Sequence, residues 1–171
     1  VVEGISPEGF HPDFNLDGKP EMVVSYVKLS LMQIIKVLVT KTVKFNLDVF
    51  SIDKSGLYGK TPEKQITFSM FFSLASSEGS TTGSTMLNMN EDFNGDDIND
   101  LIVMSDDDEL TIILGDEKDY FDYDHSIEFE SDILKKHFRT KFEDLNSDKK
   151  TDLIMIFPEE RQIMLLESDI E

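Results

Sequence analysis

An all-β fold of short antiparallel strands is predicted for this 171-residue chain by two observations. An acidic nine-residue loop runs straight into an apolar strand three times, and between the loops apolar residues alternate with polar ones at the period of a half-buried strand. The three copies span Asp13 to Val24, Asp92 to Val103 and Asp144 to Met155. Each places an oxygen-bearing side chain at loop positions 1, 3, 5 and 9: Asp13, Asn15, Asp17 and Glu21; Asp92, Asn94, Asp96 and Asp100; Asp144, Asn146, Asp148 and Asp152. A calcium ion takes six to eight oxygens at about 2.3–2.6 Å, and a tight turn with Asp or Asn at alternate positions converges them on one point. Magnesium fits less well, because it demands a tight octahedron and holds its waters. An EF-hand would need a bidentate Glu at position 12, where this chain has Val24, Val103 and Met155. The loops therefore read as hairpin closures.

Taken in chain order, Val1 to Phe10 is the segment that can supply a first strand, and Met22-Val23-Val24 follows the first loop as the second. Leu31, Ile34, Ile35 and Leu38 then fall at i, i+3, i+4 and i+7 behind a potential N-cap, Ser30, which predicts a short amphipathic helix near 30–41. Its β-branched content makes a strand the alternative. Val43, Phe45, Leu47 and Val49 alternate as a third strand, Lys54-Ser55-Gly56 turns, and Ile66-Thr67-Phe68 forms a fourth. Ser76 to Thr85 is rich in Ser, Thr and Gly and reads as a loop. Around the second acidic loop, Leu87 and Met89 lead in and Leu101 to Met104 lead out. Asp106 to Glu109 turn as a solvated acidic run, and Leu110, Ile112 and Leu114 alternate. After a connection rich in Gly, Asp and Tyr, Ile127 and Phe129 make a fourth strand. The third copy has Phe138, Thr140 and Phe142 before its loop, Leu153 to Phe157 after it, a turn at Pro158-Glu159-Glu160, and Gln162 to Leu166.

These loops and the strands after them resemble the FG-GAP/VCBS repeats, which build the calcium-binding β-propeller of integrin alpha chains and of many bacterial surface proteins. Glu21 stands where the family has Asp, and Asp97 and Lys149 where it prefers Gly; the match is closer to the bacterial variants. The resemblance implies β-propeller blades of four antiparallel strands, with each loop joining the first and second strands of a blade. It also implies that the side chains at positions 1, 3, 5 and 9 bind Ca2+ and that position 7 (Lys19, Ile98 and Lys150) lends a backbone carbonyl. On this basis residues 1–171 form a single propeller segment of about three blades, an incomplete ring. Blade 1 covers about 1–72 with an insertion at 28–42, a loop follows at 76–85, blade 2 covers about 84–131, and blade 3, incomplete, covers about 137–171. Propellers have about four to eight blades, so further blades or self-association through open strand edges is expected. Up to three ions are expected. The middle loop, with three ligating carboxylates plus Asp97, ranks first; the third, with Lys149 and Lys150 beside it, ranks last.

Composition narrows the function. Thirty-five Asp and Glu against sixteen Lys and Arg give a net charge of −19, which argues against nucleic-acid binding, since phosphate recognition rests on Lys and Arg. Cysteine is absent, which rules out disulfides and zinc–thiolate sites. The apolar stretch from Met22 to Phe50 is interrupted by Lys28, Lys36, Lys41 and Lys44, so no membrane insertion is expected. The chain opens on Val1 with no signal-peptide pattern, as expected of a mature or excised piece. His11, His125 and His137 sit in unrelated contexts, and there is no Gly-x-Ser-x-Gly or His-Glu-x-x-His motif, so no enzyme activity is expected. The expected role is a calcium-binding scaffold for interaction or adhesion, with a protein or surface ligand of unknown identity. The alternatives are a non-catalytic or substrate-binding part of a secreted enzyme, or an architectural subunit of a homopolymeric assembly. A secreted, cell-surface or periplasmic location follows from the millimolar calcium that fills weak oxygen sites outside cells.

Overall fold

The computed structural model describes residues 13–28, 30–71, 86–106 and 108–169. The first-strand segment Val1 to Phe10 and the loop Ser76 to Thr85 lie outside these residues. What is described is mostly β: three small antiparallel sheets and one α-helix.

The first sheet joins β1 (Met22–Tyr26), β2 (Thr42–Phe50) and β3 (Lys64–Phe71) in that order. The second joins β4 (Leu87–Glu91), β5 (Asp100–Asp106), β6 (Glu109–Asp116) and β7 (Tyr120–Glu130). In the third, β9 (Asp152–Phe157) lies between β8 (Arg139–Glu143) and β10 (Gln162–Leu166). Each acidic loop leads directly into β1, β5 or β9, and the second and third close the hairpins β4–β5 and β8–β9.

The sheets stack in chain order, and the middle one is buried on both sides. Leu101 and Val103 of β5 join a core with Val23, Leu47, Val49 and Phe68 of the first sheet. The intervening Ile102 and Met104 join a second core with Leu153, Met155 and Phe157 of the third. The period of two along a strand sends successive side chains to opposite faces, so the run Leu101 to Met104 is apolar at every position because both faces are covered.

The helix forms as expected and packs otherwise. α1 (Leu31–Thr40) is opened by a capping box in which Ser30 Oγ accepts the Gln33 amide and Gln33 Oε1 accepts the Ser30 amide. It ends on Lys41 in a left-handed conformation. An apolar stripe normally faces a core, yet none of its residues is buried; Val37, half-buried, is the one that packs against the first core. One further correction arises. The connection expected before Ile127 is strand from Tyr120 onward, because Tyr120 and Phe121 bury themselves in the first core and pair with Asp116 and Gly115. Met164, on the edge strand β10, packs its side chain on the second core. The outward residues of that strand are Ile163 and Leu165.

Candidate metal-binding loops

The three loops share one hydrogen-bond frame, set by position 1. In the middle loop Asp92 Oδ1 accepts the amides of Gly95 (2.6 Å) and Asp96 (3.3 Å), and Oδ2 accepts that of Asp97 (2.9 Å). In the third, Asp144 accepts Ser147 (2.7 Å), Asp148 (3.2 Å) and Lys149 (3.0 Å). In the first, Asp13 accepts Asp17 (3.0 Å) and Gly18 (2.8 Å). The Asn at position 3 accepts the amide of position 5, and the Asp at position 5 accepts that of position 7, at 2.8–3.2 Å throughout. Such Asx turns hold the chain in a tight coil without secondary structure.

The coil depends on left-handed residues at two positions. Position 6 carries φ of 78° at Gly18, 67° at Asp97 and 70° at Lys149; position 4 carries 52° at Leu16, 82° at Gly95 and 66° at Ser147. Alternating hand turns successive amides to one side, forming a concavity that receives the position 1 carboxylate. Lys149 was not expected to take this conformation; the frame imposes it. The left-handed region costs an L-residue about 1–2 kcal/mol, of which Gly returns a part in chain entropy. Lys149→Gly should therefore raise stability by about 0.5–1 kcal/mol in chemical denaturation, since the lysine side chain is exposed and no packing is lost.

Position 9 has a structural part that the sequence did not indicate. Asp100 and Asp152 are fully buried and Glu21 nearly so. Asp100 accepts the Phe93 amide (2.6 Å) through Oδ2 and the Gly115 amide (2.6 Å) through Oδ1. Asp152 accepts Leu145 (2.9 Å) and Ser168 (2.9 Å) in the same way. Glu21 accepts Phe14 (2.9 Å). The position 9 carboxylate thus ties the start of its loop to its end and, in the second and third loops, to the chain that leaves the sheet's third strand. Burial pushes Asp100 up to about 6, and Asp92 and Asp96 add to this against the pull of the two amides. Burial likewise raises Glu21.

Gly115 completes the brace. A Cβ there would sit 2.5 Å from Ile98 Cγ2 and 2.6 Å from the Asn99 carbonyl oxygen, so only Gly lets β6 approach the loop. Neither Gly115 nor Ser168 was singled out from sequence. A Gly inside a strand pattern is a signal for close approach; nothing in the sequence marks Ser168.

The gathering of carboxylates does not follow their number in each loop. Among the described residues, the carboxylates whose oxygens gather within 4.8 Å of one another are Asp13, Asp17 and Glu21, in the first loop. Glu21 is one methylene longer than Asp, which lets its carboxylate reach inward from the strand. In the other two loops the Asn side-chain amide donates to the position 5 carboxylate, Asn94 to Asp96 (2.9 Å) and Asn146 to Asp148 (3.0 Å). The donor set of the first loop, all hard oxygens with three carboxylates, fits a hard divalent cation.

Position 2 joins each loop to the sheet beyond. Phe14 meets Tyr120 and Phe121 of β7 edge to face, with ring centroids 5.5 and 5.3 Å apart. Phe93 meets Phe142 of β8 in the same way at 6.2 Å. Leu145, their counterpart in the third loop, stays 47% exposed. The second loop also touches the third sheet's chain directly: the amide of Thr151, in the third loop, donates to the Asp92 carbonyl (2.7 Å), and Ser168 Oγ, beyond β10, donates to the Phe93 carbonyl.

No family model, curated protein or solved structure matches this chain.

Proposed function

We propose that the chain is a calcium-binding segment of a β-propeller of the FG-GAP/VCBS type, acting as a rigid scaffold for contacts with other proteins or surfaces outside the cell. The observation that carries this reading is the threefold recurrence of one loop frame, with Asp13, Asp17 and Glu21 gathered in its first copy. Stacking of the sheets in chain order, with the second and third loops each leading into the second strand of its sheet, is consistent with blades that follow one another around an axis. Calcium would neutralise part of the acidic excess and ease the like-charge repulsion that adds to burial in raising Asp100 and Glu21. The side chains at positions 1, 3 and 5 are the first candidates to ligate it, with the carbonyls of Lys19, Ile98 and Lys150. Each position 9 oxygen that accepts an amide keeps a second lone pair for the ion. No catalytic step is assigned.

Thermal melts in chelator and in calcium test the reading. A ligand at a hundred times its Kd stabilises by about 2.7 kcal/mol per site, which for a chain of this size raises Tm by about 5–11 °C. Asp17→Ala should remove the first loop's share of that gain, and isothermal titration should show one site fewer than in the wild type. An unchanged Tm between chelator and millimolar calcium would sink the proposal.

A further inference from the structure

α1 is mounted with its polar side inward. Gln33, Lys36 and Val37, at i, i+3 and i+4, turn toward the first sheet, where they line a cavity of about 340 Å³ with Lys28, Lys44 and Asn46, and Val37 packs on the first core. Leu31, Met32, Ile35, Leu38 and Val39 occupy the opposite side and are 55–80% exposed. The residues that tether the helix thus hold its apolar stripe away from the protein, and no described residue covers it.

Charge around the helix selects the cover. From Met22 to Leu47 the chain has Lys28, Lys36, Lys41 and Lys44 and no acid, in a protein of net charge −19. Three of these lysines line the cavity, and Lys41 is the exposed C-cap of the helix. Among the described residues no carboxylate forms an ion pair with any of the four, and Lys28 lies over the Tyr26 ring, 5.5 Å from its centroid. Asp48, the next acid along β2, accepts from Tyr26 and Gln65. Acids farther than the Debye length of about 8 Å are screened at physiological salt, so the field at the helix is set by its own lysines. An apolar stripe with lysines before, beside and after it is complementary to the boundary of an anionic bilayer, where acyl chains lie beneath a plane of phosphates.

We infer that α1 lies flat in the interface of an anionic bilayer, with its stripe among the acyl chains and Lys28, Lys36, Lys41 and Lys44 at the level of the headgroup phosphates. Long lysine stems reach that level while the stripe is immersed. With 10 residues the helix is about 15 Å long, half the ~30 Å of a hydrocarbon core, so it rests on the membrane and does not cross it. The apolar part of the contact is the connection between β1 and β2 alone, and no calcium enters it, so a failed calcium titration leaves it standing.

Flotation in chelator, with phosphatidylcholine vesicles that contain or lack phosphatidylglycerol, tests it. The wild type should float with the anionic vesicles and stay behind with the neutral ones. Lys36→Gln and Lys41→Gln should each weaken partitioning about fivefold. The double variant Ile35→Gln, Leu38→Gln, which leaves the charge unchanged, should not float. All four side chains are exposed, so folding is retained, which circular dichroism melts verify. Because the chain has no cysteine, a polarity-sensitive dye can be placed at a single Leu38→Cys, where anionic vesicles should shift its emission to the blue; at Ile163→Cys, 72% exposed on the third sheet, they should not. A wild type that fails to float with anionic vesicles overturns the inference. Equal flotation with neutral vesicles also overturns it, because the lysines would then have no part. Flotation retained by the double variant overturns it as well, since the lysines would then hold phosphate without the stripe. So does a blue shift at Ile163→Cys and not at Leu38→Cys, which would put the contact elsewhere. Light scattering that shows the wild type, and not the double variant, dimeric without lipid would give the stripe to a second copy and overturn the inference too.

Discussion

Phe14→Ala should destabilise the protein by about 4 kcal/mol, lowering Tm by about 8–16 °C at this chain length. The ring is 1% exposed and lies edge to face against both Tyr120 and Phe121, so its removal leaves a cavity at the junction of the first loop and the second sheet. Neighbouring backbone cannot collapse into that space, because the Phe14 amide is held by Glu21. Phe93→Ala should cost a similar amount at the next junction, while Leu145→Ala, at the same loop position but half-exposed, should stay within about 1 kcal/mol. Equal effects at all three positions would show that position 2 serves its own loop and does not key one sheet to the next.

Asp100→Ala should cost about 3 kcal/mol in the absence of calcium. It leaves the amides of Phe93 and Gly115 buried without an acceptor, each worth about 1–3 kcal/mol, while relief of the buried charge offsets part of the loss. Asp96→Ala, at an exposed position, should be nearly neutral in chelator and should lose the middle loop's share of stabilisation in calcium. Denaturation of both variants with and without calcium therefore separates the brace from the ligand. If Asp100→Ala is mild in chelator and severe only in calcium, position 9 serves as ligand alone.

Much of the fold was legible because the signals are local. The strands around the second and third loops stand where alternation places them, and the helix begins at the Ser30–Gln33 box. The loop frame is equally local: each Asx side chain bonds an amide two to five residues on, so spacing alone identifies it. The strand from Tyr120 was missed because Asp122, Tyr123 and Asp124 carry turn chemistry, and the signal for strand there is burial of Tyr120 and Phe121 against Phe14, more than a hundred residues earlier.

By itself, then, the sequence determined the hairpins, the acidic coils and the capped helix, since backbone preference and hydrogen bonds between near neighbours settle each of them. Only the tertiary structure decided which groups face which. It turned the position 9 carboxylates into braces through amides at Gly115 and Ser168, 15 and 16 residues downstream. It gathered the carboxylates in the first loop and not in the middle one. It left the α1 stripe and the outer face of the third sheet uncovered. The physical reason is the same in each case: apolar periodicity states that a face seeks cover, and only the packing of distant segments determines what, if anything, covers it.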